Sequence, residues 1–245
     1  MDRTFKRDSV CRLGLLIIAG LLATPAFSQN REAPDWFGDL SLYPYRRMVD
    51  EDVDLTVTLN GNLPGRLSYF SYTNFTGLTN GRSAAFDRSE QNFRYAIADK
   101  LPIDINLQGI FGHFQNDDYW QMGLSWRVND TPGMRDLFDR MHLVYRLTWQ
   151  PWRFGPNSPG GWGLEHFFRL SLPTFSNGLY ISGFVDQAFN EDLPDWMPRR
   201  PIVAEVQIGA RVWKNFYAIG EYRINERRGD ERYNFAAGLE YKFRW

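Results

Sequence analysis

A regular alternation of apolar and polar residues, repeated along most of the chain, is the feature that most limits how it can fold. In "YWQMGLSWRV" (119–128) every second residue from Trp120 is apolar, and the residues between are small or polar. A period of two is typical of a β-strand with one apolar and one polar face. The same pattern occurs at 141–150 and 202–212, and it continues to the last residues, "GLEYKFRW" (238–245). Segments of about 9–11 residues are long enough to cross a bilayer as tilted strands.

The number of such segments predicts a closed barrel. Besides the three internal segments above, alternation is clear at 53–60, 103–112, 178–187 and 232–245, and weaker at 66–75, 91–98, 164–172 and 215–224. A barrel made from one bacterial chain has an even number of strands, so we place a twelfth strand in 36–47. We therefore predict an all-β, antiparallel transmembrane β-barrel of twelve strands. Ten strands is the alternative, if 36–47 lies outside the wall and one weaker strand is absent.

The connections between these segments alternate in length, as barrels with short periplasmic turns and longer outer loops do. If the C-terminus is periplasmic, the outer loops are 77–90, 151–163, 190–201 and 225–232, and the inner turns are 60–65, 98–102, 173–178 and 213–215. Two connections depart from the rule. The inner connection 130–140 is long and is predicted to hold a helical turn, and the outer connection 115–118 is short.

The first 28 residues have the pattern of a signal peptide. A basic start precedes the apolar run "LGLLIIAGLL" (13–22), and small residues precede a cleavage point after Ser28. The apolar run is too short to span a bilayer, which needs about 20 residues. We expect 1–28 to be removed and 29–245 to form the barrel domain. Cys11 would leave with the leader, so the mature chain would have neither a disulfide nor a thiolate metal site.

Composition excludes two further classes of protein. The net charge of −1 gives no reason to expect a nucleic-acid partner. No stretch after the leader reaches 18 apolar residues, which excludes a helical membrane protein. Aromatic residues make up 16% of the chain, although its mean hydropathy is only −0.45. Many fall near strand ends, where barrels carry an aromatic girdle at each membrane interface. The girdle candidates are Trp120, Trp126, Trp149, Trp213 and Trp245.

On these strands, girdles and the final "YKFRW", the chain resembles Gram-negative outer-membrane β-barrel proteins over about 36–245. The resemblance implies export through the inner membrane and a place in the outer membrane, in contact with its lipids and lipopolysaccharide. It also implies that the barrel-insertion machinery reads the C-terminal strand, with Trp245 in place of the commoner Phe.

If the apolar faces meet lipid, the opposite faces line a charged lumen. The predicted lumen charges are Arg94, Arg127, Arg146, Arg169, Arg211, Arg223, Lys242 and Arg244, with Asp54, Asp104, Glu165, Asp186, Glu205, Glu221 and Glu240. Two hypotheses follow, since the pattern gives no pore radius. Either the barrel is a passive channel for small polar solutes, or the same charges form a plug and the barrel is structural. For a channel, the selectivity candidates are Arg127, Arg146, Arg169, Glu205, Arg211 and Glu221.

Other functions have less support. An outer-membrane lipid acyl hydrolase needs a His beside a Ser near the outer rim. We expect His142 to face the lumen at an inner strand end, and His113 and His166 to lie near outer strand ends on the lipid side, with no outward Ser two residues away. We therefore predict no enzyme, catalytic residue, cofactor or metal site. A surface-binding barrel is a third hypothesis, because "DLPDWMPRRP" (192–201) would suit a semi-rigid contact loop.

Overall fold

The described part of the chain consists almost entirely of strands. A computed structural model of the chain describes residues 36–46, 51–76, 85–112, 118–227 and 232–244. The strands are β1 (Trp36–Arg46), β2 (Glu51–Asn62), β3 (Leu67–Thr76), β4 (Ala85–Ala96), β5 (Ile103–Gly112), β6 (Tyr119–Arg127), β7 (Leu143–Phe154), β8 (Trp162–Ser171), β9 (Tyr180–Phe189), β10 (Ile202–Trp213), β11 (Phe216–Asn225) and β12 (Tyr233–Arg244). The predicted signal peptide 1–28, His113 and Trp245 lie outside the described residues.

The sheet closes on itself. Each strand pairs antiparallel with the next along the chain, and β12 pairs with β1. Leu40 on β1, for example, lies opposite Val57 on β2 and opposite Tyr241 on β12. The prediction of a closed twelve-stranded antiparallel barrel is confirmed, and the ten-stranded alternative is wrong because 36–46 is part of the wall.

The long inner connection between β6 and β7 contains the predicted helical turn. A 3₁₀ turn (Val128–Asp130) is followed by the short helix α1 (Arg135–Met141). His142 ends α1 in the left-handed conformation, with φ of 52°, and its backbone N–H donates to the carbonyl of Asp139. The expectation that His142 faces the lumen from a strand is therefore wrong. Its exposed side chain belongs to the helix cap, and β7 begins one residue later.

Two outer loops are shorter than predicted, because β4 begins at Ala85 and β7 continues to Phe154. The extension of β7 depends on a β-bulge. Met122 pairs with Trp152, whereas Leu124 pairs with Trp149, so β7 carries one extra residue at this point. A bulge of this kind changes which residues of a strand share a face. Trp149 and Trp152 consequently both lie on the exposed outer wall.

The outer face of the barrel wall is apolar and the inner face is polar, which is the reverse of a water-soluble protein. Many outward side chains are apolar and exposed, among them Leu124, Ile208, Phe235 and Leu239. Most buried side chains are polar or charged and face the lumen. No helix in the described ranges has the length and apolar character to cross a membrane. The apolar exterior forms the belt that lipid would cover, and the polar interior positions the candidate site.

Candidate functional site

The lumen carries its charges on two walls of opposite sign. Among strand residues whose side chains are described, the wall from β4 to β8 has six basic and three acidic inward residues: Arg88, Arg94, Arg127, Arg146, Arg153 and Arg169, with Glu90, Asp104 and Glu165. The remaining wall, from β9 through β12 to β3, has three basic and six acidic residues: Arg211, Arg223 and Lys242, with Asp39, Asp54, Asp186, Glu205, Glu221 and Glu240. The two walls therefore have excess charges of equal size and opposite sign.

On the basic wall, two buried arginines keep hydrogen-bonding capacity. Arg94 and Arg146 are enclosed near Asp104 and Glu165. The Nε atoms of both arginines have no hydrogen-bond partner within the described part of the chain. The side chain of Asn106, which pairs with Arg94 across the strands, also leaves both its polar atoms unpaired there. Buried polar groups are normally satisfied by protein or by water, so this region is suited to hold water or a polar solute group.

A layer of neutral polar side chains lies beside these arginines. Gln121 and Gln150 each donate an amide hydrogen to Oε1 of Gln108, over 2.8 and 2.6 Å, and Gln108 donates to Glu90 over 2.9 Å. Ser125 and Thr148 form a second buried contact of 2.9 Å. Gln108 is 1% exposed, and Ser125 and Thr148 are 0% exposed, so water does not reach these side chains. This layer joins side chains of β4, β5, β6 and β7 along the inside of the wall.

A hydrogen bond crosses the lumen between β11 and β3. Nη2 of Arg223 donates to the hydroxyl of Tyr72 over 3.3 Å, and these strands are separated around the wall by β12, β1 and β2. The same guanidinium contacts Glu205 at 3.0 Å and Glu221 at 3.1 Å. Arg223 thus neutralises part of the acidic wall and also spans the lumen. The tyrosine and this ion cluster form a constriction.

Toward the inner mouth, cations lie against aromatic rings. The guanidinium of Arg169 is 4.3 Å from the ring centre of Tyr180, and Nζ of Lys242 is 3.8 Å from the same centre. The hydroxyl of Tyr180 donates to Glu240 over 2.6 Å, and Lys242 forms an ion pair with Glu240 at 3.0 Å. A cation held over an aromatic face gains electrostatic attraction. This group holds side chains from β8, β9 and β12 in one cluster.

At the outer mouth, the loop 190–201 is fastened inward. Glu191 has a fully buried side chain that contacts Arg153 of β7 and forms two 2.7 Å bonds with Arg227, which follows β11. The N–H of Asp192 also donates to the carbonyl of Pro159, over 3.0 Å, in the loop between β7 and β8. The sequence of this loop suits either a contact surface or a loop folded back over the mouth. In the structure its first residues join three outer connections.

The six selectivity candidates are distributed along the lumen and do not form one ring. Arg127 contacts Asp104 and Asp130 and lines a cleft of about 530 Å³ at the inner rim. Arg169 lies in the inner cluster, and Arg211 donates to the carbonyl of Asn177 at the inner rim over 2.6 Å. Arg146 lies beside Arg127, as its direct partner across the β6–β7 pair. Glu205 and Glu221 meet at the constriction through their shared partner, Arg223.

The girdle candidates occupy different heights. Trp120 lies near the outer end of β6, and Trp126 lies near its inner end, where its Nε1 donates to Thr131 over 2.8 Å. Trp213 ends β10 and stacks on Phe216 with ring centres 5.6 Å apart. Trp149 instead lies in the middle of β7, because that strand continues to Phe154.

Several residues of the lumen were missed by the sequence analysis. Arg88 and Glu90 were assigned to a loop, although they continue the alternation of Asn92 and Arg94, and this signal was available. Arg153 lies beyond the bulge in β7, which changes the alternation and hides its inward orientation. Tyr72 follows the polar parity of β3, but no sequence feature indicates that it meets Arg223.

The described histidines and acidic residues lie apart from one another. Nδ1 of His166 is 2.6 Å from the hydroxyl of Tyr145, and both side chains lie on the outer wall, Tyr145 near the start of β7 and His166 in the middle of β8. His166 therefore does not lie near the outer strand end where the sequence analysis placed it. Within the described ranges, no group of three His, Cys, Asp or Glu residues is placed to bind a metal ion.

Comparison with solved structures identifies the same fold in porins. A KdgM porin aligns with a TM-score of 0.50 and 13% identity, covering 84% of this chain and 99% of that one. A KdgM porin in complex with disordered oligogalacturonate aligns with a TM-score of 0.48 and 12% identity, covering 85% and 99%. A mutant porin of Rh. blastica aligns with a TM-score of 0.37 and 7% identity, covering 86% and 99%. No protein-family model and no curated protein matches the chain. At 13% identity the likeness to the first of these structures shows the fold alone, a closed β-barrel like that of the KdgM porin.

Proposed function

We propose that this chain is a passive outer-membrane channel for small polar solutes, with its charged lumen as the selectivity element. The observation that carries the proposal is the separation of lumen charge into a basic wall, β4–β8, and an acidic wall, β9–β3. Buried charges are costly unless they are paired or hydrated. A lumen that served only as packing would gain most from local pairs, whereas this lumen keeps an excess of one sign on each side.

Charge separation of this kind sets up a transverse electric field. A low-dielectric wall concentrates the field inside the lumen, so the orientation of a polar solute would matter for its passage. Solutes that carry both signs of charge, or a large dipole, would be favoured over apolar ones. Arg94 and Arg146 supply unpaired donors on one side, and Glu205 supplies a carboxylate at the constriction.

The test is single-channel conductance of the refolded protein in a planar bilayer. We expect discrete steps. Arg146→Ala should raise the preference for cations, because it removes positive charge from the basic wall. Glu205→Gln should shift the preference toward anions. Ile208→Ala, on the exposed outer wall, is the control and should leave selectivity unchanged.

A second candidate function has one specific observation in its favour. The polar layer of Gln108, Ser125 and Thr148 is sealed from water, as expected for a plugged barrel with a structural or surface-binding role. A silent bilayer that contains folded, heat-modifiable barrel would contradict the channel proposal and support the plug. The channel proposal would also be contradicted if Arg146→Ala and Glu205→Gln shifted the ion selectivity in the same direction.

The proposal includes the cellular setting. We propose that residues 1–28 direct export, that the strand ending at Trp245 is read by the barrel-insertion machinery, and that outer-membrane lipids and lipopolysaccharide cover the apolar wall. No catalytic role is proposed. The nearby fold relatives are porins, and His166, the histidine on the outer wall, is bonded to a tyrosine.

A further inference from the structure

A row of four cross-strand neighbours runs along the inside of the barrel from the basic wall to the acidic wall. Arg146 on β7 lies opposite Phe167 on β8. Phe184 on β9 pairs with Phe167 on one side and with Glu205 of β10 on the other. We call these four residues the diagonal strip. It begins with a guanidinium, continues over two aromatic rings and ends with a carboxylate.

The phenylalanines of the strip place apolar rings inside the lumen. Phe167 follows the lumen residue Glu165 by two positions, so alternation turns its ring inward. Phe184 precedes the lumen residue Asp186 by two positions and faces inward for the same reason. Both rings are half-buried, so part of each lies exposed between charged neighbours. Removal of apolar surface from water is favourable, so these rings favour a solute with an apolar group that covers them.

The strip slopes from the inner part of the wall to the outer part. Arg146 lies three residues after Leu143, where β7 begins on the inner side. Glu205 lies three residues after Ile202, where β10 begins on the outer side. Barrel strands are tilted, so a row of cross-strand neighbours changes height as it passes from strand to strand. A solute aligned with the strip would therefore carry its negative end toward the inner mouth and its positive end toward the outer mouth.

The two ends of the strip suit opposite charges. Nε of Arg146 has no hydrogen-bond partner among the described residues, and a guanidinium binds a carboxylate through charge-assisted hydrogen bonds. Arg223 donates to Glu205 over 3.0 and 3.2 Å, and both bonds end on Oε2. A carboxylate has two oxygens with about four acceptor positions, so a solute ammonium can share Glu205 with Arg223.

The distance between the two ends restricts the length of the solute. Neighbouring strands lie about 4.8 Å apart, so β7 and β10 are about 14 Å apart along the wall, and both end side chains reach inward to shorten that gap. A single amino acid carries its two charges on neighbouring groups and does not span it. An extended tripeptide covers about 10 Å and has an ammonium at one end, a carboxylate at the other and side chains between.

We propose that the diagonal strip is a binding subsite for short apolar peptides with free termini, of about three residues. The inference rests on the channel function proposed above and names the class of solute. The peptide carboxylate binds Arg146, its ammonium binds Glu205, and its apolar side chain packs on Phe167 and Phe184. The carboxylate end therefore points toward the inner mouth.

Blockade of the single-channel current by a matched set of peptides tests the proposal. We expect Ala-Phe-Ala to interrupt the ion current of the refolded protein in brief events. Gly-Gly-Gly lacks the apolar side chain, N-acetyl-Ala-Phe-Ala lacks the ammonium, and the C-terminal amide of Ala-Phe-Ala lacks the carboxylate. Each of the three should bind at least about tenfold more weakly, because each loses a charge-assisted hydrogen bond or the cover over the rings.

Variants at the two ends test the orientation. Arg146→Ala should make the acid and the amide of Ala-Phe-Ala bind equally, because the group that reads the carboxylate is gone, while N-acetylation should still weaken binding. Glu205→Gln should do the reverse. Exchange of these two effects, or sensitivity of both variants to both modifications, would overturn the proposed orientation and with it the subsite.

Phe184→Ala tests the apolar part of the strip. We expect it to lose most of the preference for Ala-Phe-Ala over Gly-Gly-Gly while its heat modifiability on a gel remains that of a folded barrel. Phe168→Ala is the matched control, because Phe168 is the next residue after Phe167 and lies on the outer face of β8. Its preference between the two peptides should equal that of the parent.

The result separates this inference from the channel proposal. An ion-conducting parent that all four peptides block equally would overturn the peptide subsite and leave the channel in place. A folded, heat-modifiable barrel that passes no ions would overturn both.

Discussion

Arg223 donates a hydrogen bond to the Tyr72 hydroxyl across the lumen, over 3.3 Å, while its guanidinium also contacts Glu205 and Glu221. The two bonded residues are separated by 151 positions in sequence and by three intervening strands in the wall. At this height the lumen is therefore narrow enough for side chains of β11 and β3 to meet across it. Any solute that passes must move beside it or displace it.

Tyr72→Phe should raise single-channel conductance with a moderate loss of stability. The change removes the cross-lumen bond from Arg223 and the 2.6 Å bond that Nδ2 of Asn74 donates to the same hydroxyl, while Arg223 keeps both carboxylate partners. A neutral hydrogen bond contributes about 0.5–1.5 kcal/mol and one from a charged donor more, so we expect a loss of about 1–3 kcal/mol. The measurement is conductance in a planar bilayer together with urea unfolding. Tyr222→Phe, on the exposed outer face of β11, is the matched control and should leave conductance unchanged. A conductance equal to that of the parent would mean that this bond is not at the narrowest point.

Arg223→Met should destabilise the barrel, because it removes the cation that contacts both Glu205 and Glu221. Breaking a buried ion pair costs about 3–5 kcal/mol, and since a fifth of the Arg223 side chain is exposed we expect about 2–3 kcal/mol. Adding Glu205→Gln should restore part of the loss, because it removes one of the two facing carboxylates. The stability loss and its partial recovery are both measured by urea denaturation, with tryptophan fluorescence as the signal.

Arg66→Gln serves as the comparison for that pair of variants. Arg66 forms an ion pair with Asp99 at the inner turns, and both side chains are more than a third exposed. Exposed pairs contribute at most about 1 kcal/mol. The facing carboxylates do not explain the instability of Arg223→Met if Arg66→Gln lowers the free energy of unfolding by as much. The same conclusion holds if adding Glu205→Gln to Arg223→Met restores none of the lost stability.

Glu191→Gln should release the outer loop 190–201. The substitution removes the negative charge that holds Arg153 and Arg227, so the loop loses its ionic contacts with both. Arg199 lies exposed in the same loop and is a trypsin site, whereas the bond after Arg200 leads to Pro201 and resists trypsin. We expect faster cleavage there in detergent micelles, and a higher conductance if the loop narrows the outer mouth. Asp195→Asn, an exposed carboxylate in that loop, should leave the cleavage rate unchanged. Equal rates for Glu191→Gln and the parent would refute the fastening role.

The sequence was sufficient for the architecture because the alternation of side chains is a local property. The alternation alone predicts that Leu124 faces outward and Ser125 inward, whichever strands pair with β6. It was insufficient wherever alternation changes or where two distant strands meet. Because β7 continues past its bulge to Phe154, Trp149 lies in mid-strand. The bulge also changes the alternation, so the sequence pattern does not predict that Arg153 faces inward. The contact between Tyr72 and Arg223 depends on barrel closure and lumen width, which no local pattern encodes. The position of His142 was decided by a helix cap and not by the strand that follows.

Two glycines on the outer face offer a matched test of the wall itself. A Cβ on Gly183 would lie 2.1 Å from the carbonyl oxygen of Glu205 on the neighbouring strand, which is backbone and cannot turn aside. A Cβ on Gly220 would find nothing closer than 3.6 Å, at Cγ2 of Ile208. Gly183→Ala should therefore disturb the pairing of β9 with β10, whereas Gly220→Ala should be nearly neutral.

The expected size follows from what has to move. Relieving the contact at Gly183 requires the two strands to shift, and strained packing of this kind costs about 1–3 kcal/mol. Gly220→Ala also removes backbone freedom from the unfolded chain, which favours folding slightly. Heat modifiability and urea midpoints of the two variants, measured beside the parent, would show the difference. A Gly183→Ala barrel as stable as the Gly220→Ala barrel would mean that β9 and β10 have room to separate at this point.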